Sequence, residues 1–396
     1  MQVLKARGKP VHRGRRIALA VIGVVVLVAV VGGVAYAFGK KTAPTSPSKQ
    51  SNSTSGTPSA KAARDVAPLA VTASTPAAGA TNVASNAPIT VKFSKPISLG
   101  ATLPTLAPPV SGTWTQPTPT TLQYNLTAPL IPLTNEVLTV PSGTGGLRGR
   151  NGSALSKPMS IAFKVSDGST QRLQELLAGL NYMPVSFTPT GPAPAAQDMT
   201  QPQAGSFAWR WPNLPLDSSS TWAPGSEDII TRAAVESFQN QNGLTVDGLA
   251  GPAVWTTLLN DVAAQKVDST PYTYVLVSKN LPETLTLYNN GAAQYSNIPV
   301  NTGLPGADTV DGTYPVFEHV TASRMAGTNP DGSTYDDPAV PWASFFNGGD
   351  ALHGMPRATY GSPQSNGCVE MSIADAQMLW PLTPVGTLVT VIGPAS

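Results

Sequence analysis

Cys368 is the one cysteine of 396 residues, and it stands in Ser365-Asn366-Gly367-Cys368-Val369-Glu370-Met371. Fifteen residues earlier comes His353, in Ala351-Leu352-His353-Gly354, one of three histidines in the chain. A free thiol, with a pKa of about 8.5, is mostly protonated at neutral pH, and an imidazole able to take its proton turns it into a nucleophile. Gly367 leaves the backbone bare, so its N–H and that of Cys368 can approach a developing oxyanion. Composition alone fits a second reading equally, in which an inert buried cysteine and a surface histidine have nothing to do with each other. A lone cysteine forms no intramolecular disulfide. With only His12, His319 and His353 beside it, we expect neither a metal nor a cofactor.

The elements that must hold this pair are mostly strands. Residues 272–393 read as β-rich, with strand candidates at 274–277, 285–288, 298–300 and 388–391 and turns marked by Gly303, Gly306 and Gly312. Ser372-Ile373-Ala374-Asp375 is a capping box that opens a short helix through Leu379. Trp342, Phe345 and Phe346 lie just before His353, where they could pack or form a lid or groove wall. Tyr335 and Arg324 belong to a polar, Gly-rich loop. Arg357 could meet a substrate carboxylate or satisfy local carbonyls, and His319 reads as a structural histidine.

Ahead of this module the chain divides by composition. Residues 1–16 are a basic tail, and 17–38 form a run of 22 residues without a charge. As a helix that run spans about 33 Å, enough for a bilayer core of about 30 Å. The basic flank should stay cytoplasmic and everything after the run should be exported. Ala35-Tyr36-Ala37 resembles a cleavage site, but the run is longer than a signal-peptide core, so we expect an uncleaved anchor. Residues 39–67 read as a flexible linker, with ten Ser/Thr and three Pro in positions 42–60. Residues 68–166 show strand alternation at Ile89/Val91/Phe93, Leu122/Tyr124/Leu126 and Ile161/Phe163/Val165. Residues 167–265 read as helical, with Leu173, Leu176, Leu177 and Leu180 at helical spacing and Pro252 at the start of the last helix. Phe238 and Trp255 should pack inside this module.

Charge narrows the function classes further. From Asp65 onward there are 13 basic against 22 acidic residues, a balance of −9, so the body of the chain lacks the clustered Lys/Arg that nucleic-acid phosphates require. Charged residues are only 12% of the sequence, while Pro and Gly number 39 and 36. That combination excludes coiled coil and polytopic membrane protein.

Three stretches resemble known families. Ser74-Thr75-Pro76-Ala77-Ala78-Gly79-Ala80-Thr81-Asn82-Val83 followed by 89–94 is similar to bacterial Ig-like domains. Ala233 to Gln239, then Asn242 to Trp255 with its Asp247-Gly248 and Gly251-Pro252, resembles the peptidoglycan-binding domain of wall hydrolases. His353 and the Ser-x-Gly-Cys of 365–368 resemble the L,D-transpeptidase (YkuD-type) catalytic domain. So do 301–303, 311–316, 345–349, Pro356-Arg357, Tyr360-Gly361 and Gly386-Thr387.

These resemblances imply a multidomain chain. Behind the N-terminal transmembrane helix read from the charge-free run, it would have an all-β Ig-like sandwich, a small α-helical peptidoglycan-binding domain and a mainly-β YkuD-type catalytic domain. They imply a thioacyl-enzyme on Cys368, formed from a tetrapeptide stem with loss of D-Ala. A neighbouring stem's amine would resolve it into a 3→3 cross-link. His353 would carry the proton and be held by the Gly354 carbonyl. Cys368, His353, Gly354 and Gly367 form the implied catalytic set, and Ser365, Asn366, Arg357, Trp342, Phe346 and Tyr335 the substrate-facing one. Donor and acceptor stem peptides are the implied partners, with no nucleic acid, for a monomer anchored in the cell membrane and working in the cell wall.

Two residues depart from the family pattern. Asn366 replaces its second histidine and cannot titrate near neutral pH. Glu370 stands where Arg or Asn is usual, on the same face of an extended backbone as Cys368. There a carboxylate disfavours the thiolate and repels the end of a stem peptide. The rivals to a transpeptidase are therefore a wall-binding scaffold without activity and a cysteine carboxypeptidase that passes the acyl group to water.

Overall fold

The computed structural model describes residues 67–393 other than 101, 144 and 217–220. The expected basic tail, membrane-spanning helix and linker up to residue 66 lie outside these. Among the described residues no helix is long and apolar enough to cross a membrane.

The first domain is a sandwich. One sheet orders Val71–Thr75, Ile89–Phe93, Thr121–Leu126 and Gly112–Thr118, and another orders Thr105–Ala107, Asn135–Val140 and Met159–Lys164. Alternation along each strand sends Ile89, Val91, Phe93, Leu122, Ile161, Phe163 and Val165 into one core, each almost fully buried.

A helical module follows, built from α1 (Thr170–Gly179), α2 (Ile229–Gln241) and α3 (Pro252–Ala263). Ser169 caps α1, Asp228 caps α2, and Pro252 opens α3 where its missing N–H is harmless. Phe238 and Trp255 are buried in the core, as expected. The Pro- and Gly-rich stretch between α1 and α2, where the sequence suggests no element, contains an antiparallel hairpin. Its strands, Val185–Pro189 and Gly205–Trp209, place Phe187 against Phe207.

The C-terminal domain packs two sheets over a single core. Strands β1 (Thr273–Ser278), β2 (Thr284–Asn289), β3 (Ala292–Pro299), β4 (Gly312–Pro315) and β9 (Leu388–Ile392) form the first, in the order β3-β2-β1-β9-β4. The second runs β5-β6-β7-β8, from β5 (Glu318–Thr328), β6 (Thr334–Asn347), β7 (Asp350–Gly354) and β8 (Val369–Met371). Val275, Val277, Leu285, Leu287, Val389 and Val391 from the first sheet meet Phe346, Leu352, Val369 and Met371 from the second. Burying each such side chain is worth about 1.5–3 kcal/mol. Helix α4 (Ile373–Leu379) closes the site end, capped by the Ser372 hydroxyl, which accepts the Asp375 N–H at 3.0 Å. Tyr274 of β1 and Leu388 of β9 also belong to the helical module's core, and the Tyr274 hydroxyl donates to the Pro215 carbonyl at 2.9 Å. The helical module and the first sheet of the C-terminal domain thus share apolar surface.

Candidate active site

Strands β7 and β8 run parallel, with Leu352 opposite Val369 and His353 opposite Glu370. This pairing brings the two chemical residues to one edge of the second sheet, because Cys368 immediately precedes β8. The turn before it is pinned on both sides. The Ser365 hydroxyl donates to the Cys368 carbonyl at 2.6 Å and accepts the Gly367 N–H at 3.2 Å. The Thr309 hydroxyl donates to the Gly367 carbonyl at 2.7 Å and accepts the Gly303 N–H at 2.9 Å. Gly367 has φ +117°, a conformation that side chains avoid, and a Cβ there would fall 2.3 Å from Asp350 Oδ1. Glycine is required by conformation and by space.

The Cys368 thiol is partly exposed and hydrogen-bonds to the Gly349 carbonyl at 3.8 Å. Burial among its neighbours pushes it up to about 12, against the Ala351 N–H, which favours the thiolate; the charges of Asp350 and then Glu370 add to the rise. The resting thiol is therefore protonated at neutral pH. Among the described residues it makes no hydrogen bond to His353, a common looseness of catalytic pairs without substrate.

His353 is 2% exposed. Its Nδ1 lies 3.1 Å from the Gly354 carbonyl. A carbonyl only accepts, so Nδ1 carries the hydrogen and Nε2 is left with a free lone pair. Burial holds the imidazole below its ordinary pKa, outweighing the Gly354 bond and the Glu370 charge. A neutral imidazole with Nε2 open is the state a general base needs. Gly354 also lets α4 approach, since a Cβ there would sit 3.0 Å from Ile373 Cα.

Several expected site residues already have partners within the protein. Arg357 grips the two Glu370 oxygens with its Nε and Nη2 at 2.7 and 2.6 Å. The bare charge expected at Glu370 is thereby balanced by a bidentate pair, of the kind that planar guanidinium favours. Phe346 is 2% exposed and packs in the core beside Tyr314, so it has no surface to offer a ligand. Ser365 is buried at 1%, with both hydrogen bonds turned inward to the nucleophile turn. Because the Gly367 N–H is taken by Ser365, the backbone donor left for an oxyanion is that of Cys368. Trp342 lies tilted against Trp380, ring centroids 5.6 Å apart, and, with Leu352, Met371 and Leu379, lines the small cavity beside His353.

Asn366 and Tyr335 stand near the nucleophile turn. Asn366 Nδ2 donates to Asn329 Oδ1 at 2.6 Å, tying the nucleophile turn to the tip of the β5–β6 hairpin. The Tyr335 hydroxyl, on β6, is raised mainly by burial and next by the charge of Cys368. Arg324 instead pairs with Asp336 across the exposed hairpin, and His319 stacks on Trp380 with its ring centroid 3.9 Å away, as a structural histidine would. The sequence singles out neither Asp350 nor Thr309, and it offers Asn301 only within the 301–303 stretch. Asn301 is fully buried and its Oδ1 accepts the Gly361 N–H at 3.0 Å, holding the loop that carries Arg357. The position of Asp350, directly after Gly348-Gly349 and three residues before His353, is the one sequence signal that could have drawn notice.

Comparison with known families places these modules. Residues 272–391 match the YkuD L,D-transpeptidase catalytic domain, 65–165 a bacterial Ig-like domain and 223–258 a peptidoglycan binding domain. No curated protein matches the chain. Similar solved structures include L,D-transpeptidase 3 from Mycobacterium tuberculosis in complex with a faropenem-derived adduct, 15% identical, covering 81% of this chain and 97% of that chain at TM-score 0.28. An L,D-transpeptidase from Mycobacterium smegmatis is 13% identical and covers 82% and 100% at TM-score 0.28. The catalytic domain of the E. faecium L,D-transpeptidase is 23% identical and covers 32% and 100%, again at 0.28. Likenesses this distant carry no functional argument, which rests on the catalytic-domain match and the site.

Proposed function

We propose, from the premise that residues 272–391 are an L,D-transpeptidase catalytic domain, that this enzyme forms 3→3 peptidoglycan cross-links through a thioacyl intermediate on Cys368. The observation that carries the reading is the tautomer of His353: the Gly354 carbonyl holds the Nδ1 hydrogen and leaves Nε2 able to accept the thiol proton. Cys368 gives its proton to Nε2 as its sulfur attacks the donor carbonyl, and the Cys368 N–H meets the oxyanion. His353 then protonates the departing D-Ala amine. The amine of a second stem attacks the thioacyl carbon, and the thiol is regenerated. A thiol pushed up to about 12 becomes a nucleophile only in step with this proton transfer. Tyr335 and Asn366 are the side chains we assign to the stem, since the charge of Cys368 bears on the Tyr335 hydroxyl and Asn366 belongs to the turn before Cys368.

The charge-free run and its basic flank support anchorage by one N-terminal helix, with the enzyme acting as an extracytoplasmic monomer in the cell wall. The shared core of the helical module and the first sheet of the C-terminal domain favours a supporting role for that module besides any contact with the wall.

The test is covalent labelling. Imipenem or meropenem should add once per chain, at Cys368 by peptide mapping, and Cys368→Ala should abolish the adduct. Tetrapeptide muropeptides should yield cross-linked dimers by mass spectrometry; hydrolysed stems alone would make it a carboxypeptidase. A thiol that reacts with an alkylating reagent but forms no carbapenem adduct in hours would replace the enzyme by a wall-binding scaffold.

A further inference from the structure

Asp350 opens β7 and lies over the nucleophile turn, so close that Gly367 has no room for a Cβ between them. Its charge raises the Cys368 thiol and bears also on the hydroxyls of Tyr335 from β6 and Tyr314 from β4. Among the described residues the one side chain that hydrogen-bonds to it is Asn347, whose Nδ2 donates to Oδ2 at a long 3.4 Å. Among the described residues no Lys or Arg pairs with it, although Arg357 closes on Glu370 only a few residues away in space. Burial raises Asp350 to about 6, which still leaves it mostly ionised at neutral pH.

A half-buried carboxylate without a cation is unfavourable for the fold, and beside this thiol it also opposes the thiolate. Acylation gains nothing from it. The second half of the reaction brings a cation to this place, because the acyl acceptor is an alkylamine, with a pKa of about 10 when it resembles a lysine side chain. It arrives as an ammonium ion.

We infer that Asp350 binds the ammonium of the acyl acceptor beside the thioacyl group on Cys368, and so selects cationic amines over water and other neutral nucleophiles. The inference rests on the thioacyl reading above. The bound ammonium releases one proton to solvent and becomes a nucleophile. Its nitrogen attacks the thioester carbon, the C–N bond forms and the C–S bond breaks. The second proton passes from nitrogen to His353 Nε2 and from there to the departing sulfur. The products are the amide, the Cys368 thiol and one proton in solution.

The experiment compares the full-length wild type with Asp350→Asn and Asp350→Glu, in two stages. Imipenem adduct formation tests the thioacyl reading by itself; failure in the wild type overturns that reading. Stem tetrapeptide is then titrated as cationic acceptor against hydroxylamine, which is largely uncharged at neutral pH. Asp350→Asn should raise the KM for the stem amine about 10–100-fold, the range for losing a charge-assisted hydrogen bond, while the hydroxylamine reaction stays within about threefold. Asp350→Glu should recover part of the loss. A stem amine with its acceptor nitrogen trimethylated, cationic but not nucleophilic, should compete with the acceptor in the wild type, a result that needs no variant to fold. Normal adduct formation with an unchanged acceptor KM, an equal loss with hydroxylamine, or no competition by the trimethylated stem would overturn the assignment of Asp350 alone.

Discussion

Cys368 has a carboxylate on each flank, and the fold treats the two oppositely. On the β8 side Glu370 is 3% exposed and locked into a bidentate pair with Arg357, which is itself held over it by the loop that Asn301 organises. On the β7 side Asp350 follows two exposed glycines and keeps only the long contact from Asn347. The closed flank shows that a charge foreign to a thiolate site can be tolerated when the fold supplies its counter-ion. The open flank leaves a charge with no protein counter-ion among the described residues, the one we assign to the acceptor.

The comparison presumes one thiol served by one base, so the largest effect tests that. His353→Ala should slow carbapenem acylation about 10²–10⁴-fold, the usual loss for a positioned acid–base group, whereas His319→Ala should retain most of it. Rates from intact-mass time courses decide the point, and the opposite ranking would remove the base from between the flanks.

Opening the closed flank comes next. Arg357→Ala strands the Glu370 charge and should destabilise the domain by about 3 kcal/mol, the low end for breaking a buried pair because Arg357 is a third exposed. Arg357→Ala with Glu370→Gln should recover most of this in chemical denaturation. No recovery would mean that Arg357 acts through packing.

Neutralising each flank in turn gives a smaller effect. Asp350→Asn and Glu370→Gln should both lower the pH midpoint of Cys368 alkylation, Asp350→Asn by more, since its charge weighs more on the thiol. One pKa unit changes the thiolate population about tenfold, which bounds the expected gain. Equal shifts would erase the asymmetry between flanks.

The smallest effect is on stability against pH. Folding raises the Asp350 carboxyl from 3.8 to about 6, so over that window the folded chain holds a proton that the unfolded chain releases. The contribution of Asp350 is then fully present below about pH 4 and is lost as pH rises through about 6. Relative to Asp350→Asn, the wild type should lose thermal stability across that window. Parallel profiles would show that Asp350 is better solvated than its place over Gly367 implies.

Much of this protein is legible in sequence where the cause is local. Alternation in 89–93 and 161–165, Pro252 at a helix start and Ser372 three residues before Asp375 each depend on neighbours within a turn or a strand, and each is realised. The hold of the Gly354 carbonyl on His353 is equally local, since it joins adjacent residues. The hairpin at 185–209 was hidden because its Pro- and Gly-rich strands carry little alternation and are held by cross-strand aromatic contact.

The sequence by itself determined the candidate nucleophile, the candidate base, the required glycine and the order of the matched domains, because residue chemistry and short-range backbone preference need no partner from afar. Only the tertiary structure decided what surrounds them. Arg357 reaches Glu370 across 13 residues, Asp350 reaches Gly367 across 17, and Phe346 rather than its neighbour Phe345 turns into the core. Each of these follows from the parallel β7–β8 pairing and from which sheet face is covered. Those are outcomes of packing over the whole domain, and they fix whether a charge near the thiol is paired, bare or buried.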